Sequence, residues 1–349
     1  MKKRQAYLFG ALLALAVIQT PAAEAPYMGF AMGTLIRATI TAPDEAAAVS
    51  LTERYADLIS RYETLFTVHG EGPMQELNRH AGLWQKTDCR IASLMTTAKT
   101  IARESGGAFD PTIGPVVNAW KIGFGGETVP SDEAINEARR LVDWRKIETD
   151  ETPDAEGRCR VKIGAGQNID LGAIAKGWIG TAVAEDLRKA GAQRAVLDLG
   201  GNVVLLGQGE NGRQWRIGVQ DPRKERNEML AVIETPGDVS VITSGDYERY
   251  FMKDGKTYGH ILSGATGRPV PLAFSSVTIV DADGAKADGW CTALFAMGRE
   301  KALAFLAKRP DIRAFLLSGD QSQAWVSEAL AGKIRLTDDS IRLHVIGKH

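Results

Sequence analysis

The second half of the chain consists of short runs rich in β-branched residues, and these runs constrain the fold more than any other feature. They follow one another with little but Gly, Pro, Asn and Asp between them: RAVLDLGGNVVLLG (194–207), WRIGV (215–219), LAVIE (230–234), VSVIT (239–243) and SSVTIV (275–280). Such segments are typical of strands joined by tight turns. Because most pairs have no helix between them, βαβ units and a parallel sheet are disfavoured. The pattern predicts an α+β fold with mostly antiparallel sheets and helices packed on one side.

Helical periodicity is strongest in the first half of the chain. Apolar residues recur at spacings of three and four over 43–66, which predicts a first helix. Ser131 is a plausible N-cap with acidic residues in the first turn after it. Other helices are predicted over 91–104, 172–190, 285–297 and 300–308. No linker divides the chain, so we expect a single domain over 26–349.

The N-terminus has the pattern of a secretory signal peptide. A basic MKKRQ precedes an apolar stretch over 6–18, which is short for a membrane span, and small residues follow. We expect a signal peptide over 1–25, cleaved between Ala22 and Ala25, and a periplasmic mature protein. The alternative is an uncleaved anchor. No cysteine lies near the cleavage region, so lipid attachment is not expected.

Charge and cysteine content restrict the function classes further. The net charge is -1 and no basic run follows the N-terminus, which argues against a nucleic-acid partner. The three cysteines are Cys89, Cys159 and Cys291, without C-x-x-C spacing, so a zinc or redox motif is not expected. A Cys89–Cys159 disulfide is compatible with this count, but the sequence leaves the pairing open.

Two acidic stretches have both a structural and a functional interpretation. Asp110 in FDPT could accept hydrogen bonds from a sugar or base, or it could cap the turn at Pro111. In IDLGAIAKGW (169–178), Asp170 and Lys176 flank a helix start, where free N–H groups and a lysine suit a phosphate. The alternative is a capped helix with a solvated lysine.

A third stretch adds two residues that could bind a cation, and a fourth adds a histidine. Asp288 and Thr292 are four residues apart in ADGWCT, so a helix would place both on one face, as oxygen ligands of Mg²⁺. Alternatively, the helix dipole favours the Asp and the Thr bonds its own backbone. His260 precedes LSGATG, so it is either a general base beside a glycine loop or a surface residue. Together the four stretches suit transfer at a phosphate or pyrophosphate.

Seven sequence blocks occur in a fixed order along the chain. They are MGT (32–34), GAFDPTIGPVVNAW (107–120), IDLGAIAKGW (169–178), LDLGGNVVLLG (197–207), SGDYERYF (244–251), HILSGATGRPV (260–270) and ADGWCTALFAMG (287–298). In order and spacing, over 29–326, the chain resembles the ApbE family of FAD:protein FMN transferases. The resemblance implies a T-fold-like ApbE architecture. It also implies Mg²⁺-dependent transfer of FMN from FAD to a threonine hydroxyl of an exported acceptor protein, through a phosphoester, with release of AMP. The acceptor would carry an S/T-G-A-T-type motif, and an acceptor within a membrane complex would bring the enzyme to the membrane.

The resemblance also assigns roles to individual residues. His260 matches the proposed base, and the metal ligands are the Ala173 carbonyl, Asp288 and Thr292. The remaining matches are contacts to FAD: Met32, Ala108, Phe109, Asp110, Asp170, Lys176 and Ile261. The sequence leaves two alternatives to the transferase function. One is an FAD pyrophosphatase that gives FMN and AMP, and the other is a non-catalytic periplasmic FAD-binding protein.

Three positions depart from the family pattern. Gly264 stands where the family usually has a proline after the histidine. An aromatic that commonly stacks on FAD is replaced around Val68 and His69. Cys291 stands where an acid often precedes the metal-binding threonine. These departures predict weaker FAD binding or a shifted metal preference.

Overall fold

The computed structural model describes residues 22–123, 125, 128–224, 228–245 and 250–347. Residues 1–21 of the predicted signal peptide, and residues 246–249 of the SGDYERYF block, lie outside this part of the chain. The α-helices are α1 Glu45–Phe66, α2 Pro73–Arg79, α3 Cys89–Glu104, α4 Gly114–Trp120, α5 Asp132–Arg139, α6 Ala175–Lys189, α7 Gly284–Met297, α8 Arg299–Leu306 and α9 Glu328–Ala331. Short 3₁₀ turns cover Trp144–Lys146 and Glu210–Gly212.

The strands occupy both halves of the chain. They are β1 Ala23–Ala31, β2 Thr34–Ala42, β3 Gln85–Asp88, β4 Glu148–Asp150, β5 Arg158–Lys162, β6 Arg194–Leu199, β7 Asn202–Leu206, β8 Trp215–Gln220, β9 Met229–Thr235, β10 Val239–Gly245, β11 Tyr250–Lys253, β12 Lys256–Gly259, β13 Leu262–Ser263, β14 Arg268–Pro269, β15 Phe274–Asp281, β16 Arg313–Ser318, β17 Gln323–Val326, β18 Ile334–Leu336 and β19 Arg342–Val345. The strands predicted after residue 194 are confirmed. Strands β1–β5 were not predicted.

The main sheet has the order β1-β2-β6-β7-β10-β15-β16-β17-β19. Every pair in it is antiparallel except β17 and β19, which are parallel. Smaller sheets have the orders β18-β9-β8, β3-β5-β4, β11-β12 and β13-β14. The α+β prediction with mostly antiparallel sheets is therefore confirmed.

The main sheet has a different partner on each face. Successive residues of a strand point to opposite faces, and β10 shows the consequence. Ile242 packs in the cluster formed with helices α1, α3, α6 and α7. Its neighbour Val241 packs in a second cluster with residues of β9 and β16. The helices thus cover one face, as predicted, and the β18-β9-β8 sheet covers part of the other.

Most predicted helices begin and end close to the expected residues. Asp44 and Ser131 cap α1 and α5 by accepting hydrogen bonds from Ala47 N and Ala134 N. The exception is α6, which was predicted from about residue 172 and begins at Ala175. Asp170 Oδ1 accepts a hydrogen bond from Gly172 N at 2.7 Å, and this contact holds the preceding residues in a turn.

The cysteines and the ends of the described chain add three findings. Cys89 and Cys159 form a disulfide between the start of α3 and β5, and Cys291 is a buried free thiol. Strand β1 begins at Ala23, so residues 23–25 of the predicted signal peptide pair with β2. Within the described residues, no helix combines the length and the apolarity that crossing a bilayer requires.

Candidate active site

Helices α6 and α7 meet through two glycines, and this contact positions Asp288, one of the two side chains predicted to bind a cation. A Cβ added to Gly177 would lie 2.0 Å from the Gly284 carbonyl oxygen and 2.8 Å from Asp288 Cβ. A Cβ added to Gly284 would lie 2.2 Å from the Gly177 carbonyl oxygen. Both distances are far below a van der Waals contact, so only glycine allows this approach. The backbones touch, and Asp288 is brought against the first turn of α6.

Asp288 is a buried carboxylate at that junction. Its residue is 3% exposed, and its Oδ2 accepts a hydrogen bond from Gly177 N at 2.9 Å. Burial raises the pKa of the Asp288 carboxyl, while the charge of Lys176, the Gly177 N–H and the Asn202 side chain oppose that rise. A carboxylate held in this way is suited to a cation, because a positive charge restores the stabilisation that burial removes.

The Gly177 contact also affects Ala173. In a regular helix the Gly177 N–H would donate to the carbonyl of Ala173, four residues earlier. Here it donates to Asp288, and the next helical bond runs from Trp178 N to the Ile174 carbonyl. The Ala173 carbonyl is left without its usual helical donor, so its oxygen is available to a ligand.

Thr292 offers a hydroxyl on the same face of α7 as Asp288. It lies one turn after Asp288 on α7 and is half-buried. No group of three or more His, Cys, Asp or Glu side chains gathers into a metal site in the described part of the chain. The available set is one carboxylate, one hydroxyl and one carbonyl. These are hard oxygen ligands of the kind that Mg²⁺ takes with water or substrate phosphate completing its shell. The residues present therefore fit Mg²⁺.

The FDPT turn lies directly beside the start of IDLG. Asp170 N donates to the Pro111 carbonyl at 2.9 Å, and Ile113 forms a parallel bridge with Asn168. A Cβ on Gly114 would lie 2.3 Å from Asn168 Oδ1. Two blocks that are about sixty residues apart in sequence thus form one surface, and Asp170 is only three residues from Ala173.

Asp110 is held by its own turn. Its Oδ1 accepts from Thr112 N and Thr112 Oγ1 at 2.9 and 2.7 Å, and its Oδ2 accepts from Trp144 N at 3.2 Å. Burial raises the pKa of the Asp110 carboxyl, and these hydrogen bonds oppose the rise. These contacts are the ones expected if Asp110 caps the turn at Pro111. Phe109 is 3% exposed, so its side chain belongs to the core, and its backbone N–H donates to Ser105 Oγ.

His260 lies in the connection between β12 and β13, close to the same turn. His260 is half-buried, and the buried Ile261 accepts a hydrogen bond from Val270 N through its carbonyl at 3.0 Å. A Cβ on Gly264 would lie 2.8 Å from Val142 Cγ1 and 3.9 Å from Asp110 Cβ. The loop after His260 therefore packs against the Asp110 turn.

Met32 occupies the tip of the β1–β2 hairpin. Met32 and Gly33 have φ values of 51° and 71°, as in a type I′ turn. Met32 N donates to Glu63 Oε1 at 2.6 Å, which helps hold a non-glycine residue in a left-handed conformation. A Cβ on Gly200 would lie 2.3 Å from Thr34 Oγ1, so this tip lies beside the turn between β6 and β7.

Comparison with known proteins assigns the fold to a family. The model of the ApbE family matches residues 32–316. The chain belongs to the ApbE family. It is 37% identical over 295 residues to a FAD:protein FMN transferase of Klebsiella pneumoniae, covering 84% of this chain and 88% of that protein. It is 31% identical over 319 residues to the enzyme of that name in Treponema pallidum, covering 88% of each chain.

Solved ApbE structures have the same architecture. The ApbE protein of Thermotoga maritima aligns with a TM-score of 0.79 at 29% identity, covering 90% of this chain and 100% of that one. The flavin transferase ApbE of Vibrio cholerae aligns with a TM-score of 0.76 at 28% identity, with the same coverage. The ApbE architecture expected from the sequence is therefore confirmed.

The structure shows which residues surround the positions that depart from the ApbE pattern. A proline ring at Gly264 would meet Val142, which leaves no room for it without movement. The Cys291 thiol points between strands, donating to the Ile242 carbonyl at 3.0 Å, and burial raises its pKa well above the ordinary value. It therefore does not extend the cation site. Val68 packs against the core and His69 is exposed.

The structure thus divides the predicted residues into groups. Ala173, Lys176, Asp288 and Thr292 belong to the α6–α7 junction, and Asp170 links it to the Asp110 turn. His260 and Ile261 lie in the loop that packs on that turn, and Met32 lies on the separate β1–β2 tip. Sequence reasoning missed Asn202, whose side chain favours the charged form of the Asp288 carboxylate. Its position in the LDLGGN block was the only available signal.

Proposed function

We propose that this chain transfers FMN from FAD to a threonine hydroxyl of an exported acceptor protein. The curated relatives are FAD:protein FMN transferases, and membership of their family supports the same enzyme activity here. The observation that carries the proposal is the α6–α7 junction. There, an oxygen site for a cation, a lysine and a helix start lie together, as a pyrophosphate substrate requires.

The transfer breaks a phosphoanhydride bond of FAD and forms a phosphate ester on the acceptor. The threonine oxygen forms a bond to the phosphorus of the FMN half of FAD, and the pyrophosphate P–O bond to the AMP half breaks. The hydroxyl proton passes to His260, and AMP leaves with the electron pair of the broken bond. A threonine hydroxyl is a weak nucleophile at neutral pH. Histidine is the side chain that most often serves as a general base for such a hydroxyl.

Asp288, Thr292 and the Ala173 carbonyl would hold Mg²⁺. The ion would neutralise the charge of the pyrophosphate and of the departing AMP. Lys176 adds a positive charge in the first turn of α6, beside Asp288. The burial of Asp288 and its bond to Gly177 fix the carboxylate before any ligand arrives, so little reorganisation is needed on binding.

The FAD contacts proposed for this chain follow the surface described above. Asp170 and Lys176 would face the pyrophosphate, and Ala108, Phe109 and Asp110 would contact FAD mainly through the turn that they form. Ile261 would contribute from the His260 loop, and Met32 from the β1–β2 tip, close to the flavin.

The proposed site of action is the periplasm. The basic and apolar N-terminal pattern supports export, and the Cys89–Cys159 disulfide suits an oxidising compartment. Glu24 in β1 bonds Arg194 and Thr41. Cleavage after Ala22 would retain these contacts, whereas cleavage after Ala25 would remove them. The acceptor would be an exported protein with an S/T-G-A-T-type motif.

Product accounting tests this proposal against its alternatives. The mature chain is incubated with FAD, Mg²⁺ and an exported domain that carries the acceptor motif, and intact masses and free nucleotides are measured. Transfer predicts one FMN on the acceptor and one AMP in solution for each FAD consumed. FMN and AMP both free in solution would indicate a pyrophosphatase. Intact FAD retained on the enzyme would indicate a binding protein.

A further inference from the structure

Asn202 is a buried polar residue beside the proposed cation site. It is the first residue of β7, directly after the Gly200–Gly201 turn, and pairs with Ile242 of β10. The residue is 2% exposed, and its Nδ2 makes no hydrogen bond of standard geometry with any described residue. A buried amide without a partner is unfavourable for folding, so its position calls for a functional explanation.

The elements packed around Asn202 enclose it together with Asp288. Helix α6 lies on β7, since a Cβ on Gly180 would be 2.6 Å from Val204 Cγ2. Helix α7 lies on β10, since the Cys291 thiol reaches the carbonyl of Ile242, the strand partner of Asn202. The Asn202 amide consequently faces the space between the two helices, where Asp288 lies.

The interaction of Asn202 with Asp288 stabilises the charged carboxylate, but it is not a complete hydrogen bond. Asn202 favours the charged form of the carboxylate, as the Gly177 N–H does, yet its Nδ2 makes no hydrogen bond of standard geometry within the described part of the chain. The terminal torsion of an asparagine is broad, so rotation about it would let the amide donate to the carboxylate. A carboxylate has about four lone-pair directions, and two donors leave the others free.

We propose that Asn202 is a positioning residue for Asp288. Its side-chain amide donates to the carboxylate and, with the Gly177 N–H, orients it so that its remaining lone pairs face the cation. The inference rests on the proposed function, because it concerns the same metal site. Groups that orient a metal ligand in this way typically contribute about 10- to 100-fold to metal affinity.

The test measures metal affinity without turnover. Mn²⁺ is titrated into the mature chain and the free ion is counted by electron paramagnetic resonance, with Mg²⁺ as competitor. Asn202→Leu removes the amide at similar volume, and Asn202→Ser is the second variant should the first fail to fold. Asp288→Ala is the positive control. Thr235→Val is the matched control, because the Thr235 hydroxyl on β9 is buried and has no hydrogen-bond partner among the described residues.

We expect the Asn202 variants to raise the Mn²⁺ dissociation constant about 10- to 100-fold, with Thr235→Val unchanged. In turnover assays they should raise the Mg²⁺ half-saturation while kcat at saturating Mg²⁺ changes by less than about threefold, because the catalytic groups remain. Mn²⁺ affinity within twofold of the wild type in an Asn202 variant, with Asp288→Ala impaired, would overturn this inference alone. Unimpaired Mn²⁺ binding in Asp288→Ala would overturn the proposed metal site as well.

Discussion

The Asp288 end and the His260 end of the candidate site are built in opposite ways. Asp288 is enclosed by two long helices whose glycine backbones touch, and Gly177 N–H holds its carboxylate. His260 is half-buried, between the four-residue β12 and the two-residue β13. The first end is fixed in place by backbone packing, whereas the second depends on side-chain contacts of a surface loop.

The difference matches the two tasks that a flavin transferase must perform. A cation and a pyrophosphate gain from a rigid site that pays no reorganisation on binding. A protein acceptor must enter and leave, so in the proposed mechanism the base that meets its hydroxyl has to lie at an accessible edge. Substitutions at the Asp288 end should therefore change stability and the Mg²⁺ requirement, and those at the His260 end should change the transfer rate, with effects of different size.

Gly177→Ala should have the largest effect. The new Cβ would lie 2.0 Å from a backbone oxygen, so the helices must separate, and we expect a loss of about 3 kcal/mol in the free energy of unfolding. Urea unfolding measures this loss. The control is Gly332→Ala, where an added Cβ meets nothing within 4 Å. A loss no larger than that of the control would mean that the glycine contact does not determine the junction.

Asp288→Ala should raise the Mg²⁺ half-saturation of transfer by more than about 100-fold, because loss of a ligand should exceed loss of a group that orients one. The effect is read from transfer rates across an Mg²⁺ titration. Asp186→Ala is the control, since Asp186 is a carboxylate on α6 that bonds Arg54 instead. An unchanged titration in the Asp288 variant would remove this residue from the metal site.

His260→Ala should lower the transfer rate about 100-fold, as is typical for loss of a general base. The Mg²⁺ requirement should stay as in the wild type, because the loop does not form the cation site. His80→Ala is the control, since His80 is an exposed histidine at the end of α2. A decrease much smaller than this, or one that Mg²⁺ compensates, would argue against His260 as the base.

Gly264→Ala should have the smallest effect. Its Cβ would lie 2.8 Å from the Val142 methyl group, and a side-chain methyl can move where a helix backbone cannot. We expect a loss of less than about 1 kcal/mol in unfolding free energy. If thermal unfolding shows a loss as large as that of Gly177→Ala, the contrast between the two ends is wrong.

The sequence predicted the parts of the site that depend on local pattern. The helix that carries Asp288 and Thr292 was predicted over 285–297, and its i, i+4 spacing places both residues on one face. The disulfide was left open, because Cys89 and Cys159 meet only when β3 pairs with β5. The strands of the β1–β2 hairpin were not predicted, although the MGT block at its tip was matched to the family.

Long-range contacts account for the remaining differences. The start of α6 was misplaced because Asp170 holds a turn before it, and because Gly177 N–H bonds a carboxylate more than one hundred residues away. Asn202 was missed for the same reason, since only the packing of α6 and α7 on β7 and β10 brings it to Asp288. Neither contact leaves a periodic signal in the sequence.

The most direct test of the account follows flavin on the acceptor. The mature chain is incubated with FAD, Mg²⁺ and an exported domain carrying the acceptor motif, and a denaturing gel is examined for flavin fluorescence. We predict a fluorescent acceptor band that EDTA abolishes and that is strongly reduced with His260→Ala. A dark acceptor band in the presence of Mg²⁺, with FAD consumed and FMN and AMP free in solution, would contradict the proposed transfer.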